Sequence, residues 1–86
     1  MPEISRFLGI SICLYRDDHA PPHFHAHYND WEAQITIQNA RLLRGKLPPR
    51  VLGYVIEWAV QREAELLRAW EAAQSSQPLG KIDPLV

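Results

Sequence analysis

Two alternating segments separated by two residues constrain the fold of this chain more than any other feature. Residues 23–28 read HFHAHY and residues 31–38 read WEAQITIQ, with Asn29-Asp30 between them. Asparagine and aspartate tolerate the left-handed conformation that a two-residue hairpin turn needs. If Tyr28 pairs with Trp31, the apolar residues of both segments share one face of a sheet, because paired residues point to the same side. These apolar residues are Phe24, Ala26, Ala33 and Ile35.

The same register places polar side chains on the opposite face of the predicted hairpin. It pairs His27 with Glu32, His25 with Gln34 and His23 with Thr36. We therefore predict that the imidazoles point away from the core, on a face that the chain itself leaves open to water. All four histidines lie between residues 19 and 27, because His19 is on the loop that precedes the hairpin.

The remaining segments predict a small α+β protein with a single domain over residues 1–86. Residues 8–15, LGISICLY, alternate apolar and polar side chains and predict a first strand. Residues 16–22, RDDHAPP, predict a loop, and residues 41–44 predict a short edge strand that Gly45 ends. A helix is predicted from Pro48 through Ala73. The expected architecture is a three- to four-stranded antiparallel meander with one long C-terminal helix packed on one face.

One side of the predicted helix is apolar and should cover the apolar face of the sheet. This side carries Leu52, Val55, Ile56, Ala59, Leu66, Leu67 and Trp70. Glu63 falls inside it, which leaves two interpretations open: a partly buried carboxylate that needs a partner, or a side chain on the flank that reaches water. Residues 75–86 have no periodicity, and they could dock through Leu79, Ile82 and Leu85.

Composition and charge exclude several classes of protein. Nine Lys and Arg against ten Asp and Glu give a net charge of -1, so a polyanionic partner would need a local basic patch. The single cysteine, Cys13, allows neither an internal disulfide nor a Cys-x-x-Cys site. The sequence has no signal-peptide pattern and no run of about 18 apolar residues. These features predict a cytoplasmic protein without a membrane partner.

A divalent metal ion, with zinc as the first choice, is one cofactor that the histidines predict. Histidines two apart on a strand project on one side, about 6.5 to 7 Å apart, and can converge on one ion with bonds of about 2.0 to 2.1 Å. His23 and His27 are about 13 Å apart, which is too far for a single ion. The predicted ligands are therefore His19, His23 and His25, and a site built on His25 and His27 is the alternative.

Three neighbouring residues could support such a metal site. Asp17 or Asp18 could accept a hydrogen bond from the imidazole N–H that does not face the metal, as carboxylates do around metal-bound histidines. Cys13 is a fourth ligand only if its strand pairs beside the histidine strand, and is otherwise a buried bystander. The number of ligands thus stays open at this point.

Metal-free acid-base catalysis is a second function that His19, His23 and His25 predict. Two imidazoles can donate and remove protons at neutral pH, which is the chemistry that cleaves RNA through its own 2′-hydroxyl. Such a site also needs a cation for the phosphate. Residues 41–50 supply four basic side chains without an acidic one: Arg41, Arg44, Lys46 and Arg50. We predict these as the nucleic-acid-binding residues, and a solvated, charge-protected edge strand is the alternative.

Two further explanations of the histidines need no catalysis. The polar face could be covered by a second copy of the chain, which makes a homo-oligomer, or by a cognate small protein partner. Histidine charge would then make the interface sensitive to pH. In the other explanation the histidines form a hydrogen-bonded rim, in which His19 fixes the loop and His23 ties the proline turn to its neighbours.

The motif H-x-P-P-H-F-H-A at residues 19–26 is the most specific part of a resemblance to a known family. Together with the preceding DD, the G-x-LP before the helix and the EWA inside it, it makes the chain similar to the uncharacterised bacterial family called domain of unknown function 4160. The resemblance extends from PEISRFLGI to KIDPL, and His27 lies outside its motif. It implies a small protein of toxin-antitoxin type or a regulator, and it implies no reaction.

The leading functional prediction combines these observations. We expect a small cytoplasmic toxin-antitoxin-like or regulatory protein that acts by binding a partner, and also RNA or DNA, through its histidine-rich hairpin. The alternative is a hydrolytic enzyme that uses the same histidines, either as a metal-dependent phosphodiesterase or as a metal-free RNase. The sequence does not decide whether the chain is an enzyme.

Overall fold

Within residues 3–86, five strands and two helices make up the fold, which is α+β. The computed structural model describes residues 3–86. The strands are β1 (Glu3–Phe7), β2 (Ile10–Cys13), β3 (His23–Tyr28), β4 (Trp31–Thr36) and β5 (Leu42–Lys46), and the helices are α1 (Pro49–Gln61) and α2 (Glu63–Gln74). All five strands form one antiparallel sheet in sequence order. The α+β class and the antiparallel meander are confirmed, but the numbers of strands and helices differ from those predicted.

The predicted hairpin of β3 and β4 is confirmed in register. Tyr28 pairs with Trp31, and the pairing continues without a shift to His23 and Thr36. Asn29 in the turn has φ +52°, in the left-handed region. Phe24 and the other apolar residues of the hairpin therefore point to one face of the sheet, and the histidines of β3 point to the other.

The single strand predicted over residues 8–15 is wrong in its limits. Residues 3–7 form a separate strand that was not predicted from the sequence. The second strand, β2, covers only residues 10–13. Leu8 and Gly9 form the turn between them, with φ +52° and +75°. Positive φ at both turn residues suits a two-residue hairpin turn. Leucine rarely adopts this conformation, so Leu8 reads as part of a strand rather than as a turn residue.

Two helices replace the one long helix that was predicted. They meet at Arg62, which has φ -115° and ψ 20°. Residues 60–64 contain neither glycine nor proline, so no local signal indicates the interruption. Glu63 is exposed in the first turn of α2, where a negative charge complements the helix dipole. The buried carboxylate proposed for Glu63 is therefore wrong, and its contact with water is confirmed. No helix within residues 3–86 is both long and apolar enough to cross a membrane.

The core lies between the apolar face of the sheet and the helices. Phe24 of β3 meets the buried Trp58 of α1 edge-on, with ring centroids 5.7 Å apart. The C-terminal segment closes one side of this core. Trp58 donates its indole N–H to the carbonyl oxygen of Asp83 at 2.8 Å, and the backbone N–H of Ile82 donates to the carbonyl oxygen of Ile4 at 2.8 Å. A buried indole needs such an acceptor.

β5 is an exposed edge strand with a bulge. It continues to Lys46, so the end predicted at Gly45 is wrong. Gly45 has φ +81°, and a Cβ there would clash with the carbonyl oxygen of Glu32 and lie 2.9 Å from the Cα of Ala33. The register moves from Gln34 opposite Arg44 to Ile35 opposite Leu42, which leaves Leu43 as an extra residue. Such a bulge redirects the side chains beside it.

Candidate metal centre

The histidine face of the sheet is covered by the loop of residues 14–22, which joins β2 to β3. Tyr15 lies edge-on to His25, with ring centroids 4.3 Å apart. Trp70 of α2 lies 5.4 Å from the ring of His23. His23 and His25 are consequently only 4% and 8% exposed. The predicted face is right, but the prediction that these imidazoles stand open to water is wrong, because Tyr15 of the loop and Trp70 of α2 cover them.

The carboxylate of Asp18 lies between the two buried imidazoles. Its Oδ2 is 3.1 Å from Nε2 of His23 and 3.0 Å from Nε2 of His25. Its Oδ1 accepts the backbone N–H of His19 at 2.9 Å, which orients the carboxylate. Burial by itself would raise the pKa of Asp18, but hydrogen bonds from His25 and the His19 backbone, together with the charges of His23 and His25, lower it overall.

The second nitrogen of each buried imidazole also faces an oxygen. Nδ1 of His23 lies 2.8 Å from the carbonyl oxygen of Pro21, and Nδ1 of His25 lies 3.3 Å from Oε2 of Glu32. A neutral imidazole carries a single N–H. Whichever nitrogen holds that proton, the other presents a lone pair to an oxygen. A second proton on the ring, or a cation beside Asp18, removes this repulsion.

Asp18, His23 and His25 form the donor set of a transition-metal site. One ligand atom from each of the three lies within 4.8 Å of the others. Ligand atoms around a tetrahedral ion with bonds of about 2.0 to 2.1 Å are about 3.3 Å apart, close to the observed spacings of 3.1 and 3.0 Å from the carboxylate. Two imidazoles and one carboxylate suit zinc or iron(II) and leave at least one position open.

The other sequence-predicted ligands lie outside this cluster. His19 is exposed on the loop, and its hydrogen bond to Asp18 comes from its backbone. Cys13 is buried opposite His25, as its candidate role required, but its sulfur contacts the Ser11 hydroxyl at 3.6 Å. Within residues 3–86, the metal-ligating group contains neither of them.

His27 takes part in a separate contact. Burial raises the pKa of Tyr15, and the nearby Cys13, Glu32 and Asp18 raise it further. The hydroxyl therefore keeps its proton and can donate to Nε2 of His27, 3.3 Å away. Within residues 3–86, His27 is not part of the metal-ligating group.

A cavity of about 390 Å³ opens beside the cluster. Asp18 and His23 border it on one side, together with His19. Leu43 and Arg44 of β5 border it on the other side, and both reach it because the bulge interrupts the alternation of that strand. An ion on Asp18 and His23 would therefore have this cavity next to its open coordination position.

The four predicted nucleic-acid-binding residues do not share one location. Only Arg44 lines the cavity beside the cluster. Arg41 lines a neighbouring cavity with Pro21 and Pro22. Lys46 lies opposite Glu32, and Arg50 is exposed in the first turn of α1. The set is thus spread along β5 and the start of α1.

Two residues of the site make contacts there that were not expected from sequence. Asp18 was expected to accept the N–H of one imidazole, and it lies within hydrogen-bonding distance of two. Glu32 was expected opposite His27, and that pairing is observed, but its carboxylate reaches the diagonal neighbour His25. Diagonal neighbours on one face of a sheet are within reach of long side chains. That rule could have identified Glu32, whereas no periodic signal located Asp18.

Comparison with known protein families gives a match over most of the chain. The family model described as "Domain of unknown function (DUF4160)" matches residues 9–71. This range contains β2 to β5, α1, most of α2 and all three residues of the cluster. No curated protein and no solved structure matches the chain.

Proposed function

The chain belongs to the DUF4160 family, and from that premise we propose that it binds a divalent transition-metal ion, zinc first, through Asp18, His23 and His25. One observation carries the proposal: both Nδ1 atoms face acceptors while both Nε2 atoms converge on Oδ2 of Asp18. An ion bound between Oδ2 and the two Nε2 atoms accepts the lone pairs of both imidazoles. Each ring then keeps the Nδ1–H that its acceptor needs, which is the usual arrangement around metal-bound histidine.

Protonated imidazoles are the competing explanation of the same contacts. The two rings lie 5.2 Å apart between centroids, so two buried positive charges would share the single carboxylate of Asp18. Half of the Glu32 side chain is exposed to water, which screens the attraction between its carboxylate and a protonated His25. Burying like charges together is unfavourable. One divalent ion on neutral rings avoids this repulsion, which favours the metal.

Three protein ligands point to a reactive ion rather than to a structural one. Structural zinc sites have four protein ligands, whereas catalytic sites keep a position for water or substrate. A metal ion can lower the pKa of bound water to about 7 and so supply a nucleophile for hydrolysis. The cavity beside Asp18 and His23 gives that position access to a substrate. This supports the hydrolytic alternative, while the toxin-antitoxin-like and partner-binding roles stay predictions.

Metal titration of the chelator-stripped protein tests the proposal. We expect one Zn²⁺ or Co²⁺ ion per chain, with tetrahedral absorption bands for cobalt. An ion at 100 times its Kd stabilises the folded state by about 2.7 kcal/mol. At about 4 to 8 °C per kcal/mol for a chain of this size, the melting temperature should rise by about 11 to 22 °C.

Histidine variants locate the ion. His25→Ala should weaken zinc binding by more than about 100-fold, because even residues behind a ligand change affinity by about 10- to 100-fold. The matched controls are His19→Ala on the exposed loop and His27→Ala on the same strand and face. Both should keep the affinity within about threefold of the wild type, far below the 10-fold effect of a supporting residue. The proposal fails if the wild type takes up no zinc, cobalt, nickel or manganese, or if His19→Ala loses as much affinity as His25→Ala.

A further inference from the structure

We propose that the cavity beside the metal cluster binds the phosphate group of a small phosphate monoester, with one phosphate oxygen on the ion and another on the guanidinium of Arg44. This inference rests on the proposed metal site. It concerns a residue that takes no part in metal binding, so the two can be tested separately.

The sheet places Arg44 on the metal face. His25 pairs with Gln34 across β3 and β4, and Gln34 pairs with Arg44 across β4 and β5. Paired residues share a face, so the three side chains form a row across the sheet. Two strand spacings amount to about 9 to 10 Å, which leaves room for one phosphate between an ion on β3 and an arginine reaching inward from β5. Gln34 lines the same cavity and can donate an amide hydrogen.

The Arg44 guanidinium is free to bind a ligand. Within residues 3–86 it has no hydrogen bond and no ion pair, although Asp18 borders the same cavity and Glu32 lies on the neighbouring strand. An arginine presents N–H donors in a planar fork that matches two phosphate oxygens. Gly45 and the bulge at Leu43 hold β5 in the shape that brings this fork to the cavity.

Charge and size favour a small phosphate monoester. A divalent ion together with the carboxylates of Asp18 and Glu32 gives a local charge of about 0, and Arg44 raises it to about +1, which favours an anion such as a phosphate monoester, with its charge of about -1.5 to -2 at pH 7. The cavity of about 390 Å³ falls within the usual range of about 300 to 1,000 Å³ for small-molecule sites. Leu43, Ala20 and Pro21 supply apolar walls for the organic part of the ligand.

Inorganic phosphate is the probe for this site. Titrated into the cobalt-loaded protein, it should shift the visible absorption bands of the ion and saturate at one phosphate per chain. Arg44→Gln should weaken phosphate binding by about 10- to 100-fold, the range expected for hydrogen bonds to a charged group, with unchanged cobalt affinity. Arg41→Gln is the matched control, because it removes the same charge from a neighbouring cavity. It should change phosphate affinity by less than twofold.

The outcomes distinguish the two proposals. A wild-type protein without bound metal overturns the proposed function. Bound cobalt with unchanged absorption bands, or equal phosphate affinity in Arg44→Gln and the wild type, overturns only the phosphate site. A single-stranded RNA oligonucleotide provides the last comparison. The basic strand is a nucleic-acid surface, and the monoester site is wrong, if three results occur together. Arg41→Gln and Arg44→Gln weaken RNA binding equally, RNA affinity falls steeply with salt concentration, and phosphate leaves the cobalt absorption bands unchanged.

Discussion

Replacing Asp18 with asparagine should change folding and metal binding in opposite directions. In the metal-free protein, a neutral imidazole with its proton on Nδ1 presents the lone pair of Nε2 to Oδ2 of Asp18, at distances of 3.1 Å for His23 and 3.0 Å for His25. An asparagine amide nitrogen at that position donates hydrogen bonds to them instead. Its Oδ1 can still accept the backbone N–H of His19. The variant should therefore fold at least as stably as the wild type.

The size of this effect follows from the number of hydrogen bonds gained. One or two new bonds at about 1 kcal/mol each should raise the free energy of unfolding by about 1 to 2 kcal/mol. The melting temperature should then rise by at least about 4 °C. With zinc at 100 times the wild-type Kd, the wild type gains about 2.7 kcal/mol and Asp18→Asn gains nothing. The order of the two melting temperatures should therefore reverse when zinc is added.

Thermal unfolding followed by circular dichroism at pH 8, with chelator and with zinc, measures both parts. Asp18→Ala is the control, because it removes the carboxylate without supplying an amide and leaves the His19 N–H without its acceptor. It should be less stable than the wild type in chelator. If Asp18→Asn also melts at least 4 °C below the wild type in chelator, Asp18 is the counter-ion of protonated imidazoles, and the lone-pair argument is wrong.

Three further predictions concern the surroundings of the cluster. Glu32→Gln should weaken zinc binding by about 10- to 100-fold and keep one ion per chain, because it weakens the acceptor of His25; unchanged affinity in a competition assay would contradict this. Gly45→Ala should destabilise the fold by more than about 2 kcal/mol, since a Cβ at φ +81° is strained and meets the backbone of β4. Gly53→Ala, whose Cβ enters open space in α1, should instead stabilise it by about 0.5 to 1 kcal/mol, and equal urea midpoints for the two variants would refute the difference. Hydrogen bonds and the charges of His23 and His25 lower the pKa of Asp18 on folding, so its carboxylate stabilises the metal-free fold above the ordinary 3.8 where those imidazoles are protonated, and it loses this contribution as the pH falls from 3.8 through the folded value; acid unfolding of the metal-free Asp18→Asn should lack that component.

Parts of the fold that depend on neighbouring residues were predictable, and parts that depend on distant contacts were not. The pairing of Tyr28 with Trp31 follows from two alternating segments and a short turn. The interruption at Arg62 has no glycine or proline to signal it. The turn at Leu8 uses a residue with little preference for positive φ. In both places tertiary packing overrides local preference, which sequence patterns do not describe.

By itself, the sequence determined which face of the sheet each histidine of β3 occupies, because a repeat of two residues allows only one register that buries the apolar side chains. Only the tertiary structure decided that Asp18 rather than His19 meets His23 and His25, and that Arg44 borders the cavity beside them. The path of a loop cannot be predicted from sequence periodicity, because the loop has none. Its position comes from residues distant in the chain, such as Gln74, which donates to the carbonyl oxygen of Asp18 at 3.4 Å.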